Sequence, residues 1–140
     1  MEQKYESRIG KVPHAQEKVY AFLSDFRHFE HLIPAGQVDH WQADNNTCRF
    51  SVTGVGEIGL KMIEKKPNDL LKISGDSLAN IDFTLWVQIR EVSPGDTRVK
   101  LTLKADLNPM LRVITAKPLQ QFLEILIKQI ESFDFSGQAT

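Results

Sequence analysis

In the stretch IDFTLWVQIREV, residues 81–92, the alternation holds without a slip from Ile81 to Arg90. Ile81, Phe83, Leu85, Val87 and Ile89 fall on one side, and Asp82, Thr84, Trp86, Gln88 and Arg90 on the other. A period of two held this long is that of a β-strand with one apolar and one polar face. SPGD then supplies a turn. RVKLTLKADL repeats the pattern, with Val99, Leu101, Leu103, Ala105 and Leu107 against Lys100, Thr102, Lys104 and Asp106. Neighbouring strands that are apolar on one side only form an antiparallel sheet, and that side must be covered. The rest of the chain has to extend this sheet or cover it.

The period of two already begins at Val38. VDHWQAD ends at the turn signal Asn45-Asn46, and CRFSVTGVG follows with Phe50, Val52 and Gly54 on one face. EIGLKMIEKK ends at Pro67-Asn68-Asp69, and LLKISGD is a short strand before the long one. These six strands, joined by short turns, read as an antiparallel meander. Ahead of them, Tyr5–Val12 alternates loosely and stops at Pro13, which predicts a first strand. HAQEKVYAFLSD changes period, with Ala15, Val19, Phe22 and Leu23 at helical spacing. FRHFEHLI predicts a second short helix, closed by Pro34 and Gly36, with Phe26, Phe29, Leu32 and Ile33 inward.

The cover comes last. In PLQQFLEILIKQIESF, residues 118–133, Leu119, Phe122, Leu123, Leu126, Ile130 and Phe133 share one broad helical face. Ile125 and Ile127 lie on its flanks, and Gln120, Glu124, Lys128 and Glu131 lie opposite. Asn108-Pro109 suits a helix start, with asparagine as N-cap and proline in the first turn. The apolar set before Pro118 (Met110, Leu111, Ile114) is out of phase with the set after it, which predicts a kink or restart there. The order is strand, two helices, six strands, long helix: an α+β, two-layer domain spanning residues 1–140. A chain of 140 residues is large enough to build its own core.

This order and these residues resemble the START-like (SRPBCC) superfamily, which includes the birch-pollen allergen family, the lipid-transfer START domains and the polyketide cyclases. VPHAQEKVYAFLSDFRHFEHLIP looks like that group's entry, with Asp25 and Pro34 at the matching positions, and ADLNPMLRVITAKPLQQFLEIL looks like its exit into the closing helix. The resemblance covers essentially the whole chain. It implies a helix-grip fold: a curved seven-stranded antiparallel sheet around a long C-terminal helix, in the order β-α-α-β-β-β-β-β-β-α, often with a cavity for an apolar small molecule between them. The wall of such a cavity would be Phe50, Phe83, Leu85, Val87, Leu101, Leu103, Phe122 and Leu126. Periodicity by itself says only that an apolar sheet face meets an apolar helix face.

Few residues carry a signal for chemistry. His28 and His31 stand one turn apart, but no HExxH or cysteine partner accompanies them, so a polar helix surface explains them better than a metal. The single cysteine, Cys48, has no identifiable base and reads as a buried structural thiol; alone, it forms no internal disulfide and suits a reducing compartment. GVGEIG lacks the Lys-Ser/Thr and following helix of a phosphate loop and reads as a hairpin. His40 and Gln42 share the parity of Val38, and Glu64 that of Leu60 and Met62, so the three would be polar anchors if those faces point inward. For Glu64 the preferred reading is a solvated, idle residue at a strand end, with a buried acid or base as the alternative. Trp86 lies on the polar face of the long strand, where an isolated exposed aromatic needs no explanation; the alternative is a surface for a protein partner or a second copy of the chain.

A formal charge of −1 leaves no basic excess for nucleic acid. No stretch approaches the length of a membrane span, and the polar MEQKYESRIG has no apolar h-region. The expectation is a cytoplasmic protein with no cofactor and no metal. It binds or transports a small hydrophobic ligand (a lipid, isoprenoid, quinone or aromatic, polyketide-like metabolite). The alternatives are an enzyme of the polyketide cyclase, dehydratase or hydrolase type using the same cavity, for which no catalytic group stands out, and a co-chaperone-like or ribosome-associated interaction module.

Overall fold

The computed structural model describes residues 2–32, 38–52, 56–77 and 82–135. Its elements are β1 (Glu2–Glu6), β2 (Gly10–Val12), α1 (Gln16–Leu23), a 3-10 helix (Phe26–Leu32), β3 (Val38–Ala43), β4 (Thr47–Val52), β5 (Gly56–Lys66), β6 (Leu70–Ser77), β7 (Phe83–Ser93), β8 (Asp96–Asp106) and α2 (Pro109–Ser132). One curved antiparallel sheet runs in the order β1-β8-β7-β6-β5-β4-β3, with β2 also paired to β8. The six strands from Val38 onward are the predicted meander, and α2 covers the apolar face. This is a helix-grip fold.

The sheet has eight strands rather than seven because the N-terminal strand is broken. Glu6 pairs with Thr102 and Gly10 with Val99, so one more residue is spent on this strand than on β8. Such a bulge leaves ladder groups to be satisfied elsewhere. Ser7 does this: its N–H donates to the Leu101 carbonyl (2.9 Å), and its hydroxyl accepts from the Leu101 N–H (2.9 Å). Ser7 is therefore buried although polar.

The second helix has 3-10 geometry, and its sequence shows why. Phe26, Phe29 and Leu32 are spaced by three, the residues per turn of a 3-10 helix, and all three are buried. Asp25 holds its start, accepting from the Arg27 N–H (2.9 Å) and pairing with the Arg27 guanidinium (2.6 Å).

Helix α2 is one continuous helix through Pro118, so the expected restart does not occur. Leu123, Leu126, Ile127 and Ile130 are buried. Its backbone lies closest to β2, β1 and β8. Gly10 makes the approach to β2 possible: a Cβ there would fall 2.9 Å from Ile127 Cγ1. The polar flank of α2 is pinned to the break between β1 and β2. Glu131 pairs with Arg8 and accepts from the Lys11 N–H (2.8 Å), and the Gln120 side chain donates to the Glu6 carbonyl (2.8 Å).

Candidate functional site: the unevenly covered inner face

The inner face of the sheet is closed at one end and only partly covered at the other. At the closed end, α1 packs on β7, and the 3-10 helix, which also lies against β3 and β4, meets α1 and α2. Phe22 lies 4.4 Å from Phe133 and 5.2 Å from Phe135, centroid to centroid. His28 stacks on Phe22 (4.7 Å), and its Nδ1 is 2.8 Å from the Phe22 carbonyl. His28 is thus a packing and hydrogen-bonding residue. No group of three His, Cys, Asp or Glu among the described residues is arranged to hold a metal.

At the other end, apolar side chains that point inward are only half-buried: Val38, Trp41, Ile58, Leu60, Phe83 and Leu119. Register explains the grouping, since Phe50 pairs with Ile58, Leu60 with Gly75, and Gly75 with Phe83. Trp41 stacks on Phe50 at 5.0 Å, with the two rings inclined by 22°. The Phe83 ring lies over Gly75, where a Cβ would fall 2.1 Å from it. Tyr5, paired with Leu103, adds a half-buried hydroxyl-bearing ring to the same inner face. Large apolar side chains left partly open on a concave face are the material of a small-molecule site.

Of the predicted wall, Phe50, Leu85, Val87, Leu101, Leu103 and Leu126 are buried in the core. Phe83 is half-buried at the open end. Phe122 departs from the expectation: it is 36% exposed, whereas Ile127, assigned to a flank, is fully buried. The pinning of α2 by Gln120 and Glu131 rotates the helix toward β1 and β2, which lifts Phe122 off the core and presses Ile127 into it.

The three polar anchors are placed outside. A bulge between Asp39 and Gln42, where His40 has φ +59°, changes the parity of β3. Val38 and Trp41 point inward, and His40 and Gln42 are exposed. A second bulge, between Met62 and Glu64, does the same in β5: Met62 is buried, while Glu64 is exposed and lies 3.6 Å from Lys66. Sequence reasoning missed Trp41 as an inward residue because nothing in VDHWQAD marks the bulge.

The buried polar residues among those described are Ser7, Thr97 and Thr102, none of them charged. Thr97 donates to the His14 carbonyl (2.6 Å). Cys48 is buried, and desolvation pushes its thiol up to about 12, so it is protonated and unreactive near neutrality. The described interior therefore holds no ionised acid or base.

No protein-family model and no curated protein sequence matches the chain. Solved structures do. Norcoclaurine synthase from Thalictrum flavum, in complex with dopamine and hydroxybenzaldehyde, superposes with a TM-score of 0.74 at 12% identity, covering 100% of this chain and 90% of that one. A conserved protein from Geobacillus kaustophilus gives 0.65 at 11% identity, covering 93% and 90%. The Mll3558 protein from Rhizobium loti gives 0.63 at 15% identity, covering 92% and 97%. The chain shares the helix-grip fold of these structures, as the entry and exit segments led one to expect.

Proposed function

We propose that this protein binds a small, uncharged, largely apolar molecule between the open end of the sheet and α2, and carries it without changing it. The observation that supports this is the half-buried ring of Trp41, Ile58, Leu60, Phe83 and Leu119 on an inner face where no described ionised group is buried. Such a surface gains by burial, at roughly 25 cal/mol per Å² of apolar area before association costs. The stacked Trp41–Phe50 pair and the Phe83 ring favour a flat ligand, aromatic or quinone-like, over a flexible acyl chain. The likeness to a norcoclaurine synthase solved with dopamine and hydroxybenzaldehyde is consistent with an aromatic occupant.

The same likeness motivates an enzymatic second reading. Proton transfer needs a positioned acid or base at the reacting atom. With His40, Gln42 and Glu64 on the outside, the Tyr5 hydroxyl is a group among the described residues of the inner face that this reading could use. A reducing, cytoplasmic setting suits the free, buried Cys48, and no helix among the described residues is long and apolar enough to cross a membrane.

Native mass spectrometry of freshly purified protein, followed by organic extraction, tests the proposal. The expected result is a discrete apolar adduct, lost when Phe83 is changed to lysine in a variant that keeps its far-ultraviolet spectrum. A clean apo mass, together with no saturable binding from a panel of aromatic and quinone ligands, sinks it. Turnover of a bound aromatic that is abolished by Tyr5→Phe would replace it with the enzymatic reading.

A further inference from the structure

The apolar inner face has a polar margin, and it lies along the edge strand β1. The row of inward residues that contains Phe83 passes through Ala105 and ends at Gln3; the next row passes from Leu85 through Leu103 and ends at Tyr5. Both end residues are half-buried. Gln3 already has a partner in the chain. Ser7, two positions beyond Tyr5, is buried with its hydroxyl bonded to the Leu101 N–H (2.9 Å). The Tyr5 hydroxyl differs from both, because no hydrogen bond among the described residues involves it. A phenolic hydroxyl can donate one hydrogen bond and accept others, so this one has its capacity to spare.

Helix α2 brings the open end of the site to this hydroxyl. The Gln120 side chain donates to the Glu6 carbonyl (2.8 Å), so the turn that holds Leu119 runs alongside β1. Leu119 and Phe83 both belong to the half-buried apolar set of the open end. Tyr5 stands two strands from Phe83, which at about 4.8 Å per strand is roughly 10 Å across the sheet. That distance suits a small fused ring system with one polar end.

We propose that the Tyr5 hydroxyl orients the bound molecule by donating a hydrogen bond to an oxygen at one end of it, a role that rests on the ligand-binding reading above. The occupant is then a flat aromatic with a neutral acceptor, such as a ketone or quinone oxygen, turned toward β1, and its hydrocarbon body lies on Phe83 and Leu119. A hydrocarbon that covered Tyr5 would take the hydroxyl out of water without replacing that hydrogen bond, so a ketone of the same shape is preferred. A carboxylate is disfavoured, because the buried polar residues described, Ser7, Thr97 and Thr102, include no cation to replace its hydration.

The test compares two naphthalenes of nearly the same shape, 2-acetylnaphthalene and 2-isopropylnaphthalene, by equilibrium dialysis against the whole chain and against Tyr5→Phe. The parent is expected to bind the ketone more tightly. Tyr5→Phe should weaken the ketone by about threefold to tenfold, the range of one hydrogen bond, and leave the hydrocarbon within about twofold. Retained hydrocarbon binding also shows that the variant's site is folded. In infrared difference spectra the carbonyl band of bound ketone should lie at lower frequency in the parent than in Tyr5→Phe, a change that lost packing would not produce. Equal weakening of both molecules, or of neither, overturns the role of Tyr5 and leaves the ligand site standing. Tighter binding of 2-naphthoic acid than of the ketone also overturns it. Binding of neither naphthalene by the parent overturns the site and this role together.

Discussion

Single residues decide which side chains reach the interior, and two of them were invisible to periodicity. His40 at φ +59° and the irregularity between Met62 and Glu64 each shift a strand by one position, and a one-residue shift turns every following side chain to the opposite face. The inward placement on which His40, Gln42 and Glu64 depended as anchors therefore fails, and Glu64 is solvated, as preferred for it, although the strands that carry them were legible. Phe50, Leu85, Val87, Leu101, Leu103 and Leu126 were read on the inner side and are buried there, because their strands and helix hold register through those positions. Gly75 is a sharper case: its missing Cβ makes room for the Phe83 ring. Gly75→Ala should cost about 1–3 kcal/mol in urea unfolding, and a neutral outcome would mean that the ring moves away freely. Glu6 is held down to about 2, first by its hydrogen bond from Lys100 and then by Lys4. A carboxylate depressed in the folded state contributes stability above its ordinary 4.5, and that contribution disappears as pH falls from there toward 2. Lys100→Met should move the Glu6 carboxyl resonance midpoint upward; an unchanged midpoint would remove Lys100 as the cause.

At the scale of elements, α2 shows what an amphipathic pattern leaves open. The apolar arc of residues 118–133 identified the helix and its covering role, but an arc that wide fits more than one rotation about the helix axis. The rotation is set by partners more than a hundred positions away: Arg8 and Lys11 on Glu131, and Glu6 on Gln120. Two substitutions check the phase. Leu126→Ala, removing a buried side chain, should cost about 2–5 kcal/mol, whereas Phe122→Ala should cost well under half as much. Equal costs would place the helix differently. Gly10→Ala tests the seat itself, because the new methyl would meet Ile127 and Glu131; chemical-shift changes should concentrate along β2 and the second half of α2.

For the molecule as a whole, the fold was legible because its order of elements is distinctive, and the ligand end was not, because openness is a property of how layers meet rather than of any residue's period. Amide exchange should reflect the difference. The slowest amides are expected in β7, β8 and the buried half of α2, and faster exchange at Ile58 and Phe83, where the core is half-covered; uniform protection would indicate a solid interior. The seating of the N-terminal strands also bears on how the chain is made. β1 and β2 are synthesised first, yet β8 and α2, the partners that hold them, come almost last, with contacts spanning 120 and 123 positions. A nascent chain halted before Pro109 would present a meander with no cover for its apolar face, so a ribosome-bound chain is expected to remain protease-sensitive until the closing helix has emerged.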